Sequence, residues 1–89
     1  MNFRWNDWNE DHISQHGVLP EEAERVVATC RSPFPRLIED EKRLVWGRGL
    51  GGRLLQVVFI VDGDGTIFVI HARPLTDHEK RRYRRIMRQ

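Results

Sequence analysis

Eighty-nine residues make one domain, and a chain of this length buries only about 60–65% of its unfolded surface, which excludes a deep cleft between domains. The net charge of +2 hides an uneven distribution: residues 1–41 carry nine acids and four bases, and residues 42–89 carry four acids and eleven bases. A split of that size points to a polyanion or an acidic protein as partner of the second half, unless the opposite charges neutralise one another within the fold.

Phe3-Arg4-Trp5 alternates as a short edge strand would. Asn6 or Asp7 can cap a helix running to about His16, which Gly17 stops in the left-handed conformation. Pro20-Glu21-Glu22 opens a second helix, because proline gives up no needed hydrogen bond in the first turn and glutamates suit the positive end of the dipole. Ala23, Val26, Val27 and Cys30 recur along it at helical spacing. Pro33 and Pro35 end it and begin an extended stretch. Residues 42–48, 53–61 and 66–73 then read as a three-stranded antiparallel meander around turns at Gly49 to Gly52 and Asp62 to Gly65. Thr76-Asp77-His78-Glu79 is a capping box that opens a basic C-terminal helix. The expected fold is α+β: two N-terminal helices, an antiparallel sheet of three to four strands, and one C-terminal helix.

If both four-residue turns close without a bulge, Arg48 faces Arg53 and Val61 faces Thr66, which assigns every strand residue to a face. Leu44, Trp46, Leu55, Val57, Phe59, Phe68, Ile70 and Ala72 then form the core face. Gln56 and His71 oppose each other on the other face, with Arg73 beside them at the end of the last strand.

The single cysteine, Cys30, excludes an intramolecular disulfide and a CxxC motif. No apolar run approaches membrane-spanning length, and the polar, acidic start of the chain is unlike a signal peptide, so a reducing, cytoplasmic setting is expected. His12 and His16 have the spacing of metal ligands on a helix, but the HExxH glutamate and a third ligand are missing. Asp62 to Gly65 would need a glutamate where Arg73 stands to be a calcium loop. Gly49 to Gly52 lacks the Lys-Ser/Thr ending of a phosphate loop, and no serine sits in a nucleophile elbow. No metal and no cofactor are therefore expected.

What remains is His16, His71, Arg48, Arg53, Arg73, Tyr83 and the cations of the last helix. These are the groups that metal-free RNA cleavage needs. A base takes the proton of the attacking 2′-hydroxyl, cations hold the pentavalent phosphate, and an acid protonates the leaving oxygen. Imidazole titrates in the right range, and guanidinium is a permanently charged, planar phosphate ligand.

The order of these residues resembles a known family. Phe3-x-Trp5 with its Asn-rich helix, His16-Gly17-Val18, Pro20-Glu21-Glu22-Ala23 and Gly47-Arg48 are similar to BrnT-type toxins of the RelE-like ribonuclease group. So are Gly52-Arg53-Leu54-Leu55, Ala72-Arg73-Pro74 and Thr76-x-x-Glu79-x-x-x-Tyr83, and together the pieces span nearly the whole chain. Asn6 and Asn9 stand where family members usually carry an aspartate and, a few residues on, a lysine, and His71 replaces a common small residue. The resemblance implies a RelE-like sheet, mRNA cleavage on or off the ribosome, and a cognate antitoxin. It places weight on His16, Arg53, Arg73, Glu79 and Tyr83.

The leading expectation is a toxin-like endoribonuclease in which His71 or His16 moves protons and Arg73 and Arg53 hold the phosphate. Arg48, Lys80, Arg81, Arg84, Arg85 and Arg88 would grip flanking RNA. The rivals are a non-catalytic basic module for nucleic acid or an acidic protein, and a small enzyme-associated or structural domain with no nucleic acid role; for Arg73 itself the competing explanation is a structural pair with Glu79. Whether the chain forms a homo-oligomer stays open.

Overall fold

The structure, a computed structural model, describes residues 1–88. Its elements in chain order are β1 (Phe3–Arg4), α1 (Asp7–Ser14), α2 (Pro20–Ala28), β2 (Arg36–Glu39), β3 (Lys42–Arg48), β4 (Leu54–Val61), β5 (Ile67–Pro74) and α3 (Asp77–Met87). The fold is α+β with three helices, as read from the sequence, but the sheet is mixed and five-stranded where an antiparallel sheet of three to four strands was expected. The sheet has five strands in the order β1-β5-β4-β3-β2. The two strands beyond the expected meander are its short edges: β1, parallel to β5, and β2, antiparallel to β3.

Local chemistry explains each helix start. Asn6 caps α1 reciprocally with Asn9: the Asn9 amide donates to Asn6 Oδ1 at 3.2 Å, and the Asn6 amide donates to Asn9 Oδ1 at 2.8 Å. Asn9 is fully buried and spends its Nδ2 on the Arg4 carbonyl at 3.1 Å, which locks β1 to α1. Pro20 begins α2, and the Glu22 carboxylate accepts from the Leu19 amide at 3.1 Å. Thr76 and Glu79 form the capping box of α3. Gly17 takes a φ of 70°, as a helix-stopping glycine should.

The register differs from expectation by one residue at each hairpin. In both loops the first residue bonds to the fifth, Gly49 N–H to Arg53 O at 2.9 Å and Asp62 N–H to Thr66 O at 2.8 Å. The fourth residue is a glycine at positive φ, 92° for Gly52 and 87° for Gly65. Each loop is therefore a turn plus a glycine bulge, one residue longer than a simple closure. Arg48 consequently pairs with Leu54 and Val61 with Ile67. Within β5 a second bulge at Ile70 moves the register again, so that Val58 opposes His71 and Gln56 opposes Arg73.

The core face is therefore corrected. Val45, Leu55, Val57, Phe59, Ile67, Val69 and Ala72 share one face, and α2, which presents Ala23, Val26 and Val27, packs against its β3 and β4 part. Side chains buried this fully each contribute about 1.5–3 kcal/mol. Trp46 and Phe68 move to the opposite face, which they share with Gln56, His71 and Arg73. Trp46 accordingly donates its indole N–H to Gln56 Oε1 at 3.0 Å. Gln56 and His71 do share a face, but they are not directly opposed.

Candidate nucleic-acid interface

The C-terminal helix carries no fully buried residue. It is held by the half-buried Tyr83, Ile86 and Met87, by Tyr83 against the Phe34 ring at 6.3 Å between centroids, and by Arg82 over Trp46 at 5.6 Å. Its start is tied to the sheet by one strong contact. Arg73 donates from both terminal nitrogens to the two oxygens of Glu79, at 2.7 and 2.8 Å, and also reaches the Pro74 carbonyl at 3.1 Å. The guanidinium, the Thr76 amide and the Thr76 hydroxyl together hold the Glu79 carboxyl down at about 2.

Docked this way, α3 faces the open ends of β3 and β4 across a hollow of about 220 Å³ lined by Arg48, Gly52, Arg53, Leu54, Pro74, Lys80 and Arg84. A neighbouring hollow shares Arg48 and Arg84 and adds Arg31, Tyr83, Met87 and Arg88. The two make one groove walled by six cations and no carboxylate. Among the described residues, Arg31, Arg48, Arg84 and Arg88 lie beyond 4 Å from every acidic side chain. Among the described residues Arg48 bonds only the Gly52 carbonyl, at 2.9 Å. Arg53 is the fixed member. Its Nε and one terminal nitrogen bond both oxygens of the buried Glu22 at 3.0 and 2.8 Å, and the same terminal nitrogen reaches the Gly17 carbonyl at 2.8 Å. This fork lowers the Glu22 pKa and raises that of Arg53.

His71 stands outside the groove. It is half-buried beside the exposed His16, 5.6 Å between ring centroids, and beside His12 at 6.4 Å. Burial, then the nearby charges of His16, Arg73 and His12, push its pKa below the ordinary imidazole value. His12 in turn stacks on the exposed Trp8 at 5.1 Å. The link between the imidazoles and the groove is Gly17, next to His16, whose carbonyl takes the Arg53 fork.

The residues singled out in the sequence therefore separate into three groups. Arg48, Arg53, Lys80, Tyr83, Arg84 and Arg88 converge on the groove. His16 and His71 form a second cluster beside it, with Arg73 and Glu79 locked to each other near both. Arg81 and Arg85 are exposed but line neither hollow. Sequence reasoning missed Arg31 and the ion pair of Glu22, and weighed His12 only as a metal ligand. The spacing of His12 to His16 signalled a shared helix face, but nothing local tells that Glu22 would reach Arg53, 31 residues away.

Among the described residues, no three His, Cys, Asp or Glu side chains are arranged to hold a metal ion, and no helix is long and apolar enough to cross a membrane. Comparison with protein-family models, with curated proteins and with solved structures finds no match for this chain.

Proposed function

We propose that this protein binds RNA through the cationic groove and cleaves it without a metal, as a toxin-like endoribonuclease of the BrnT, RelE-like kind restrained in the cytoplasm by a cognate antitoxin. The observation that carries the reading is the groove itself: six cations and an aromatic ring around an open hollow, with no carboxylate in its wall. Such a wall suits successive phosphates of a flexible strand. In the cleavage step the 2′-hydroxyl attacks the adjacent phosphorus and the 5′-oxygen leaves, giving a cyclic phosphate and a 5′-hydroxyl end. His71, kept neutral by burial, is the base that takes the 2′ proton; His16 protonates the leaving oxygen. Arg53, positioned by Glu22, faces the charge that develops on phosphorus.

The test is a salt titration of binding to a short single-stranded RNA, with cleavage measured alongside, with and without ribosomes. Changing Arg48, Lys80 and Arg84 together to Gln should weaken binding by at least about tenfold and lower the slope of log K against log salt by about 0.7 per lost contact. The same change at Arg81, Arg82 and Arg85 should do much less. A specific observation favours a second reading, a binding module without catalysis: Arg53 and Arg73 are each already paired with both oxygens of a glutamate. RNA binding without cleavage, and no growth arrest when the chain is expressed alone, would select it.

A further inference from the structure

The sheet ends on β2, whose four residues are all exposed, Leu37 by 64% and Ile38 by 45%. Among the described residues its outer backbone groups have no strand partner, and open edges of this kind either are blunted or are used for pairing. Blunting is partial here. A bulge falls at Ile38, between the Leu37–Arg43 and Glu39–Lys42 pairs.

That bulge has a geometric effect. Arg36 opposes Leu44 and Glu39 opposes Lys42. Leu44 and Lys42 are two apart on β3 and share a face, so Arg36 and Glu39 share a face as well. In a regular strand, residues three apart would point to opposite faces. When two antiparallel strands are related by a two-fold axis through the sheet, directly opposed residues must lie on the same face. The bulge thus allows Arg36 of one copy to oppose Glu39 of another, and symmetry repeats the pair. Leu37 and Ile38 fall between the two ion pairs and cover each other.

We infer that β2 is a self-association edge, through which two copies of this chain join antiparallel into one ten-stranded sheet with Arg36 set against Glu39 twice. The occupant is a second copy, because the edge is complementary to itself: one cation, two apolar residues and one anion in an order that the two-fold reverses. Glu39 already contacts Lys42 at 3.3 Å, and its carboxylate has room for a second donor. The two-fold keeps both basic grooves on one side of the joined sheet, since Arg36 lies over the Phe34 ring that packs on Tyr83 of α3. The inference does not depend on RNA binding.

Sedimentation equilibrium of the full chain over a range of concentrations tests it. The parent protein should approach twice the chain mass. Arg36→Glu and Glu39→Arg should each weaken the dimer by at least about tenfold, because like charges then face each other at two places. The double variant R36E/E39R should recover most of the loss, which a folding defect would not allow. A parent protein that stays monomeric at every concentration overturns the inference. So does a dimer that either single charge reversal leaves unchanged, or one that the double variant fails to restore.

Discussion

At the residue scale the Arg73–Glu79 pair has two separable roles. Glu79 titrates at about 2 in the folded chain against 4.5 as a free carboxyl, so the folded state binds fewer protons than the unfolded one between those values. The pair therefore stabilises fully above about pH 4.5, and the contribution is lost as pH falls toward 2. Glu79→Gln should cost about 1–2 kcal/mol at neutral pH, and urea denaturation should show the gap to the parent protein narrowing at pH 3. Arg73→Ala leaves a half-buried carboxylate without its partner and should cost at least as much. If Arg73 also meets the scissile phosphate, its loss should reduce cleavage by about 10²–10³-fold while Glu79→Gln retains most activity. Equal loss in the two variants would confine Arg73 to ordering α3. His71 titrates in the same sense. Its folded pKa lies below 6.5, so the stability it confers is complete above that value and declines as pH falls through the depressed one. His71→Gln should flatten the fall in stability measured by denaturant between pH 7 and 5.

At the scale of elements, the two hairpin glycines decide the register. Gly65 has open space where a Cβ would stand, so its requirement is conformational and not steric. Gly65→Ala forces an L-residue to a φ of 87° and should cost about 1–2 kcal/mol, visible as a lower urea midpoint with unchanged slope. These loops also show what could be read beforehand. Helix starts were legible because their signals are local: Asn6 with Asn9, Pro20 with Glu22, Thr76 with Glu79. The existence of β3, β4 and β5 was legible too, from the apolar runs between glycines, whereas β2 was read only as an extended stretch. Register was not, because a four-residue closure and a five-residue one with a bulge use the same Gly-rich composition. A one-residue slip then carries Trp46 and Phe68 to the other face. The Ile70 bulge left no sequence signal at all. The groove was half legible: five of its six cations were named from their types and Arg31 was not, and only the docking of α3 separates Arg84 and Arg88, which line it, from Arg81 and Arg85, which do not.

At the scale of the whole molecule, the charge split of the sequence survives folding. Among the described residues, two long-range ion pairs join the acidic and basic halves, Arg4 to Asp62 and Arg53 to Glu22; the other three, Lys42 to Glu39, Lys80 to Asp77 and Arg73 to Glu79, join residues at most six apart. Most of the positive charge therefore stays on one region, around a helix with no buried residue, where the cations repel one another. A ligand that binds only the folded chain adds stability by mass action, about 2.7 kcal/mol at a hundred times its Kd. For a domain of this size each kcal/mol moves the melting temperature by about 4–8 °C, so a saturating single-stranded RNA should raise Tm by about 10–20 °C. The rise should shrink as salt is added, because counterion release weakens the binding. It should also shrink on changing Arg48, Lys80 and Arg84 to Gln, whereas those substitutions should raise the melting temperature of the free protein slightly by relieving repulsion. These opposite signs separate a polyanion site from an ordinary solvated basic surface, on which RNA would leave Tm where it was.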